Sequence, residues 1–128
     1  MKVRRDKMSN TDIIRRFFDA WEAKSLDGIL KLMTPDARWL NVGLPESVGQ
    51  DAIRKAIAPL LATASSVEVK VRHIAETSDG AVLTERSDTF DNSGKTMSVD
   101  VMGVFELKDG KIHVWREYFD TRALAPAS

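Results

Sequence analysis

Hydrophobic residues recur every three to four positions in the first half of the chain and every second position in the second half. Ile14, Phe17, Phe18 and Trp21 fall on one face of a helix. Ser9-Asn10-Thr11-Asp12 opens it, with small polar caps and an acid near the positive end of the helix dipole. Leu26, Ile29, Leu30 and Met33 repeat the pattern in a short second helix, which Thr34-Pro35-Asp36 is expected to stop. A third helix is expected from about Asp51, carrying Ile53, Ile57 and Leu60, with a break or kink near Pro59.

Residues 37–42 read as a strand, with Trp39 and Asn41 on one face and Arg38 and Leu40 on the other, followed by a loop over residues 43–49. From Val67 the period is two: Val67, Val69 and Val71 alternate with Glu68, Lys70 and Arg72. Ser78-Asp79-Gly80, Asn92-Ser93-Gly94 and Lys108-Asp109-Gly110-Lys111 then mark turns between strands at residues 81–91, 97–107 and 112–120. Helices followed by strands indicate an α+β domain, with three helices on a mostly antiparallel, curled sheet. The mouth of such a sheet is a natural ligand site.

The 128 residues suffice for one domain, and 43% apolar with 30% charged residues is the balance of a soluble globular chain. Nineteen basic and nineteen acidic side chains leave no net cationic field, which argues against a nucleic-acid or anionic-membrane partner. With no cysteine there are no disulfides, cysteine-bound metals or thiol nucleophiles, and a reducing, cytoplasmic setting fits. The longest apolar stretch, residues 56–64, is interrupted by Pro59 and falls short of a membrane span. Residues 1–8 read as a loose basic arm rather than a secretory signal, residues 9–124 as the domain, and 125–128 as a tail.

Ser93-Gly94-Lys95-Thr96 mimics the end of a phosphate-binding loop. The required earlier glycine is Thr89, however, and the segment joins two strands, so a hairpin turn is the better reading. His73 and His113 lie forty residues apart without metal-ligand spacing, and no metal site is expected. More informative is Glu85-Arg86-Ser87-Asp88. The i, i+2 spacing puts Arg86 and Asp88 on one strand face with Val82, Thr84 and Phe90. Such a pair is either a salt bridge on a wet sheet face or a charged group facing a cavity. Asp120 ends the last strand, aligned by period two with Ile112, Val114, Arg116 and Tyr118, and Asn41 shares a face with Trp39.

Three segments carry a family resemblance: Leu83-Thr84-Glu85-Arg86-Ser87-Asp88, the stretch GVFELKDGKI at residues 103–112, and Trp115-Arg116-Glu117-Tyr118-Phe119-Asp120. Together with the loop GLPESVGQDA at residues 43–52, they resemble the limonene-1,2-epoxide hydrolase family over roughly residues 10–124. That family lies in the wider group of nuclear transport factor 2-like and SnoaL-like proteins. The resemblance implies a single cone-shaped domain, with a curved sheet around a deep pocket, commonly homodimeric.

It also implies hydrolysis of a small hydrophobic epoxide to a vicinal diol, without a cofactor. By the same resemblance Asp120 takes a proton from water and Asp88 protonates the epoxide oxygen. Arg86 hydrogen-bonds both, and Asn41 helps hold the water. One position departs from the pattern: Trp39 stands where the family has a tyrosine, and an indole N–H donates but cannot accept. Phe90, Met102, Val104, Phe18 and Trp21 are the expected apolar wall. Two other activities share the fold: a SnoaL-like isomerase or cyclase, and a non-catalytic module binding a hydrophobic ligand.

Overall fold

Ser9 caps the first helix, its hydroxyl accepting from the Asp12 amide at 3.1 Å, and α1 runs Asn10–Glu22. Its inward stripe is Ile13, Ile14, Phe17, Phe18 and Trp21, the set that helical spacing selects. Ser25 caps the six-residue α2, Leu26–Lys31, in the same way. A computed structural model describes residues 8–124; the expected arm up to residue 7 and the tail at 125–128 lie outside the described residues.

After α2 the chain enters β1, Met33–Asn41, almost at once. Thr34-Pro35-Asp36, expected to be a helix stop, therefore lies inside a strand. The ladder between β1 and its parallel neighbour is interrupted between Met33 and Arg38, so the missing N–H of Pro35 leaves no partner wanting. Two residues of the expected loop, Ser47–Val48, form β2 against Arg38 and Trp39.

Helix α3, Gln50–Thr63, continues through Pro59 without the expected break. Pro59 is on the solvent side, where the carbonyl it leaves unbonded can meet water. Leu61 rather than Leu60 completes the buried stripe with Ile53 and Ile57. The Gln50 side chain donates to the carbonyls of Leu30, Met33 and Thr34, tying the start of α3 to the α2–β1 junction.

Four long strands follow: β3 Ser66–Glu76, β4 Val82–Asn92, β5 Lys95–Lys108 and β6 Lys111–Tyr118. The sheet order is β2-β1-β6-β5-β4-β3, antiparallel except for β1 beside β6. The expected α+β architecture is thus observed, with three helices on a mixed, mostly antiparallel sheet in one cone-shaped domain.

Between helices and sheet lies an aromatic core. Phe17 packs edge-on against Trp115 at 5.0 Å and Phe105 at 5.6 Å between ring centres. Trp39 stacks face to face on Trp115 at 4.3 Å.

One irregularity decides what faces that core. Glu106 pairs with Val114 but Leu107 with Ile112, leaving His113 as an extra residue in β6. A bulge of this kind reverses the alternation beyond it. Ile112 points inward before the bulge, and Trp115 and Glu117 point inward after it.

Candidate active site

Arg86 is the largest fully buried side chain, only 2% exposed, and it anchors the site. Strand alternation places it inward with Val82, Thr84, Asp88 and Phe90, as the spacing predicts. Its Nε donates to Asp88 Oδ1 at 2.9 Å and its Nη2 to Asp88 Oδ2 at 3.0 Å, a two-pronged contact that holds the guanidinium plane. Nη1 donates to Thr84 Oγ1 at 3.1 Å. Phe18 of α1 lies under the cation, its ring centre 5.0 Å from Cζ.

The second carboxylate on Arg86 is Glu117, not Asp120. Nη2 donates to both Glu117 oxygens at 2.6 Å. Asp120 lies beyond the end of β6, exposed and paired with Arg122 at 2.7 Å. That neighbour's hydrogen bonds hold its carboxyl down at about 2. The expected Asp88–Arg86–Asp120 cluster is therefore corrected to Asp88–Arg86–Glu117. The His113 bulge is the physical reason, because it turns Glu117 inward where unbroken alternation would turn it out. A signal for Glu117 was present in Trp115, since a large aromatic two residues earlier on a strand marks the buried face.

Glycine at 103 makes room for the cluster. Gly103 pairs with Thr84 on one side and Glu117 on the other. A Cβ there would lie 2.6 Å from Arg86 Nη1 and 2.8 Å from Glu117 Oε2. Electrostatics follow from burial. Loss of water pushes the Glu117 carboxyl above its ordinary value, with the Arg86 cation opposing and the Asp88 charge adding to the rise. Arg86 is held charged, the two carboxylates outweighing the penalty of its own burial.

The cluster forms one end of a cavity of about 170 Å³ whose remaining wall is largely apolar. Phe18, Trp21 and Phe90 line it. Met102 and Val104 do not; the wall is built by Val99 and Val101 of the same strand. The register of Arg86 opposite Val101 and Asp88 opposite Val99 sets that choice, and Met102 and Val104 take the opposite, outer face.

Asn41 and Trp39 also line the cavity. Asn41 is in register with Glu117 on the adjacent strand, and Trp39 with Trp115. The Trp39 Nε1 is enclosed and has no hydrogen-bond partner, so its ring rather than its N–H meets the cavity. Among the described residues, no group of three or more His, Cys, Asp or Glu side chains is arranged to hold a metal ion. His73 pairs with Glu85 and His113 with Thr34, both away from the cluster.

The SnoaL-like domain pattern matches residues 14–115. The chain belongs to the SnoaL-like domain family. Epoxide hydrolases are among the proteins it resembles. It is 34% identical over 110 residues to the epoxide hydrolase EphG of Mycobacterium tuberculosis, covering 84% of this chain and 70% of the relative. A solved structure of a limonene-epoxide-hydrolase-like epoxide hydrolase from M. tuberculosis superposes with a TM-score of 0.79 at 28% identity, over 89% of this chain and 84% of that one. The epoxide hydrolase/cyclase-like enzyme SalBIII, described in pyran ring formation in the polyether salinomycin, shares the fold. Its TM-score is 0.79 at 21% identity, over 89% and 92% of the two chains.

Proposed function

We propose that this SnoaL-like protein is an epoxide hydrolase that opens a small hydrophobic epoxide with water in one push–pull step. The observation that carries the proposal is a buried arginine clamped between two carboxylates at the end of an apolar cavity. Opening a strained ring without a covalent intermediate needs a base for the water and an acid for the departing oxygen. Two carboxyl groups sharing one cation in a dry site keep one proton between them, so both roles are available at once.

Glu117 is assigned as the base. Asn41, its register neighbour on the adjacent strand, offers an amide to hold the water beside it. Asp88, on the other side of Arg86, is assigned as the acid. The water oxygen bonds to a ring carbon as one water proton passes to Glu117. The ring carbon–oxygen bond breaks and its oxygen takes the Asp88 proton. A proton then returns from Glu117 to Asp88 to reset the site. Arg86 fixes both carboxylates and Trp39 contributes ring surface. No cofactor enters this scheme. In size, an engineered apolar cavity of roughly 150 Å³ holds a benzene, so a single-ring epoxide is a natural occupant.

The test is turnover of limonene oxide, cyclohexene oxide and styrene oxide in oxygen-18 water. Labelled diol is expected from the native protein. Glu117→Gln and Asp88→Asn should each lower the rate by about 100-fold or more, the scale of losing an acid or base. Asp120→Asn should remain within about threefold of native, since its carboxylate points away from the cavity. Full activity in Glu117→Gln would sink the assignment.

A second reading keeps the acid–base pair but replaces water by a hydroxyl of the substrate, closing a ring as a cyclase does. The enclosed Trp39 nitrogen favours it, because Trp39 then offers water no hydrogen bond. Unlabelled cyclic product from a hydroxy-epoxide in oxygen-18 water would select this reaction.

A homodimer is proposed as the assembly. Leu83, Met102 and Tyr118 are exposed on the outer sheet face, where Met102 and Tyr118 are directly paired. The absence of any helix long and apolar enough to cross a membrane, among the described residues, is compatible with the cytoplasmic setting proposed here.

A further inference from the structure

The cavity does not end at its own mouth. A second depression adjoins it and shares three wall residues with it, Leu60, Phe90 and Met97. Two of these, Leu60 and Met97, are among the exposed large hydrophobic residues of the protein. Beyond them the lining changes character, to Asn92 and Lys95 at the β4–β5 turn.

The register of β4 on β5 arranges these groups as a ladder. Successive pairs from the inner face out to the turn are Arg86 with Val101, Asp88 with Val99, Phe90 with Met97, and Asn92 with Lys95. The order from the inside is thus acid–base cluster, apolar neck, amide and ammonium. Asn92 lies four positions beyond Asp88 along the strand, a span of roughly 13 Å. Lys95 makes no ion pair among the described residues, so its charge is unclaimed at the outer end.

We infer that the outer depression is a subsite for the far end of an elongated substrate, an epoxide whose alkyl chain ends in a carboxylate. The epoxide reaches Asp88 and Glu117, the chain lies over Phe90, Leu60 and Met97, and the carboxylate meets Lys95 and the Asn92 amide. A neutral single-ring epoxide would fill only the inner part. This assignment rests on epoxide hydrolysis at the inner site, but the subsite can be read by binding alone.

The experiment compares ω-epoxy alkanoates of graded chain length with their methyl esters, on the native protein and on Lys95→Ala, Lys95→Arg and Lys95→Glu. Decanoate binding is measured by calorimetry on the same four proteins. Lys95 is exposed, and its replacement leaves the core and the acid–base cluster untouched. The native protein is expected to show a lower KM for the acid than for its ester at one optimal chain length. Lys95→Ala should raise KM for the acid roughly three- to fivefold, the size of one exposed ion pair, with kcat unchanged. Lys95→Arg should restore it, Lys95→Glu should exceed the loss, and the ester should respond to none of them.

Equal KM for acid and ester in the native protein, or no response to Lys95→Glu, would overturn the subsite. Decanoate binding that weakens with Lys95→Ala while no epoxide is turned over would uphold the subsite and refute hydrolysis. Turnover of the ester without any Lys95 dependence for the acid would do the reverse.

Discussion

Glu117 carries more of the chemistry than its place in the sequence suggests. Fully enclosed, with Arg86 as its partner, it has two opposing influences on its proton. Burial is the larger, so its carboxyl sits above the ordinary glutamate value of 4.5. A base must be ionised to accept a proton, so kcat/KM should fall as pH drops through that raised value. The pH–rate profile should therefore show an acid limb above 4.5, set by the buried Glu117 carboxyl. Asp120→Asn should leave the limb in place, because Asp120 already titrates at about 2. A limb that moves with Asp120→Asn would contradict the assignment.

Gly103 is the complementary case, a residue that acts by having no side chain. Gly103→Ala should press on a guanidinium already held by Asp88, Thr84 and Glu117, leaving it little freedom to yield. A destabilisation of about 1–3 kcal/mol, typical of overpacking, is expected in chemical denaturation, together with reduced turnover.

Among the elements, β6 joins fold to site. Its bulge at His113 brings both Trp115 and Glu117 to the inner face, one for the aromatic core and one for Arg86. Deleting His113 would remove the extra residue and let simple alternation run from Ile112 through Trp115 to Glu117, keeping that pair on the inner face. The deletion variant should therefore keep a cooperative thermal transition by circular dichroism, as should His113→Ala, and its loss in the deletion alone would contradict this account of the bulge.

The strands also show how far alternation can be trusted. On β4, paired with β5 without interruption, the spacing of Arg86, Asp88 and Phe90 assigns the face correctly. On β6 the same rule selects Asp120, because a one-residue insertion is silent in a hydrophobic pattern. Alternation alone puts Met102 and Val104 on the wall for a related reason. Both parities of β5 are apolar, and only pairing with β4 reveals which one shares a face with Arg86.

For the whole molecule, the two faces of the sheet have separate purposes. The inner face holds the core and cavity, while the outer face carries cross-strand ion pairs such as Arg116 with Glu106 around exposed Met102 and Tyr118. Light scattering at micromolar concentration should return about 28.6 kDa, twice the 14.3 kDa chain, if this face is the dimer contact. Met102→Glu should shift that mass toward the monomer without changing the inner cavity. A native monomer would remove the proposed interface.

Taken alone, the order of amino acids determined what depends on local periodicity: the capped first helix, the three hairpin turns, the α+β class, and Arg86 beside Asp88 on one strand face. These are properties of neighbouring residues, set by side-chain spacing along one element. Three features were settled only by the tertiary structure: which carboxylate completes the cluster, which face of β5 lines the cavity, and why position 103 is glycine. Each depends on register between strands distant in sequence, where a single bulged residue exchanges the buried and exposed faces and leaves no mark in the local pattern.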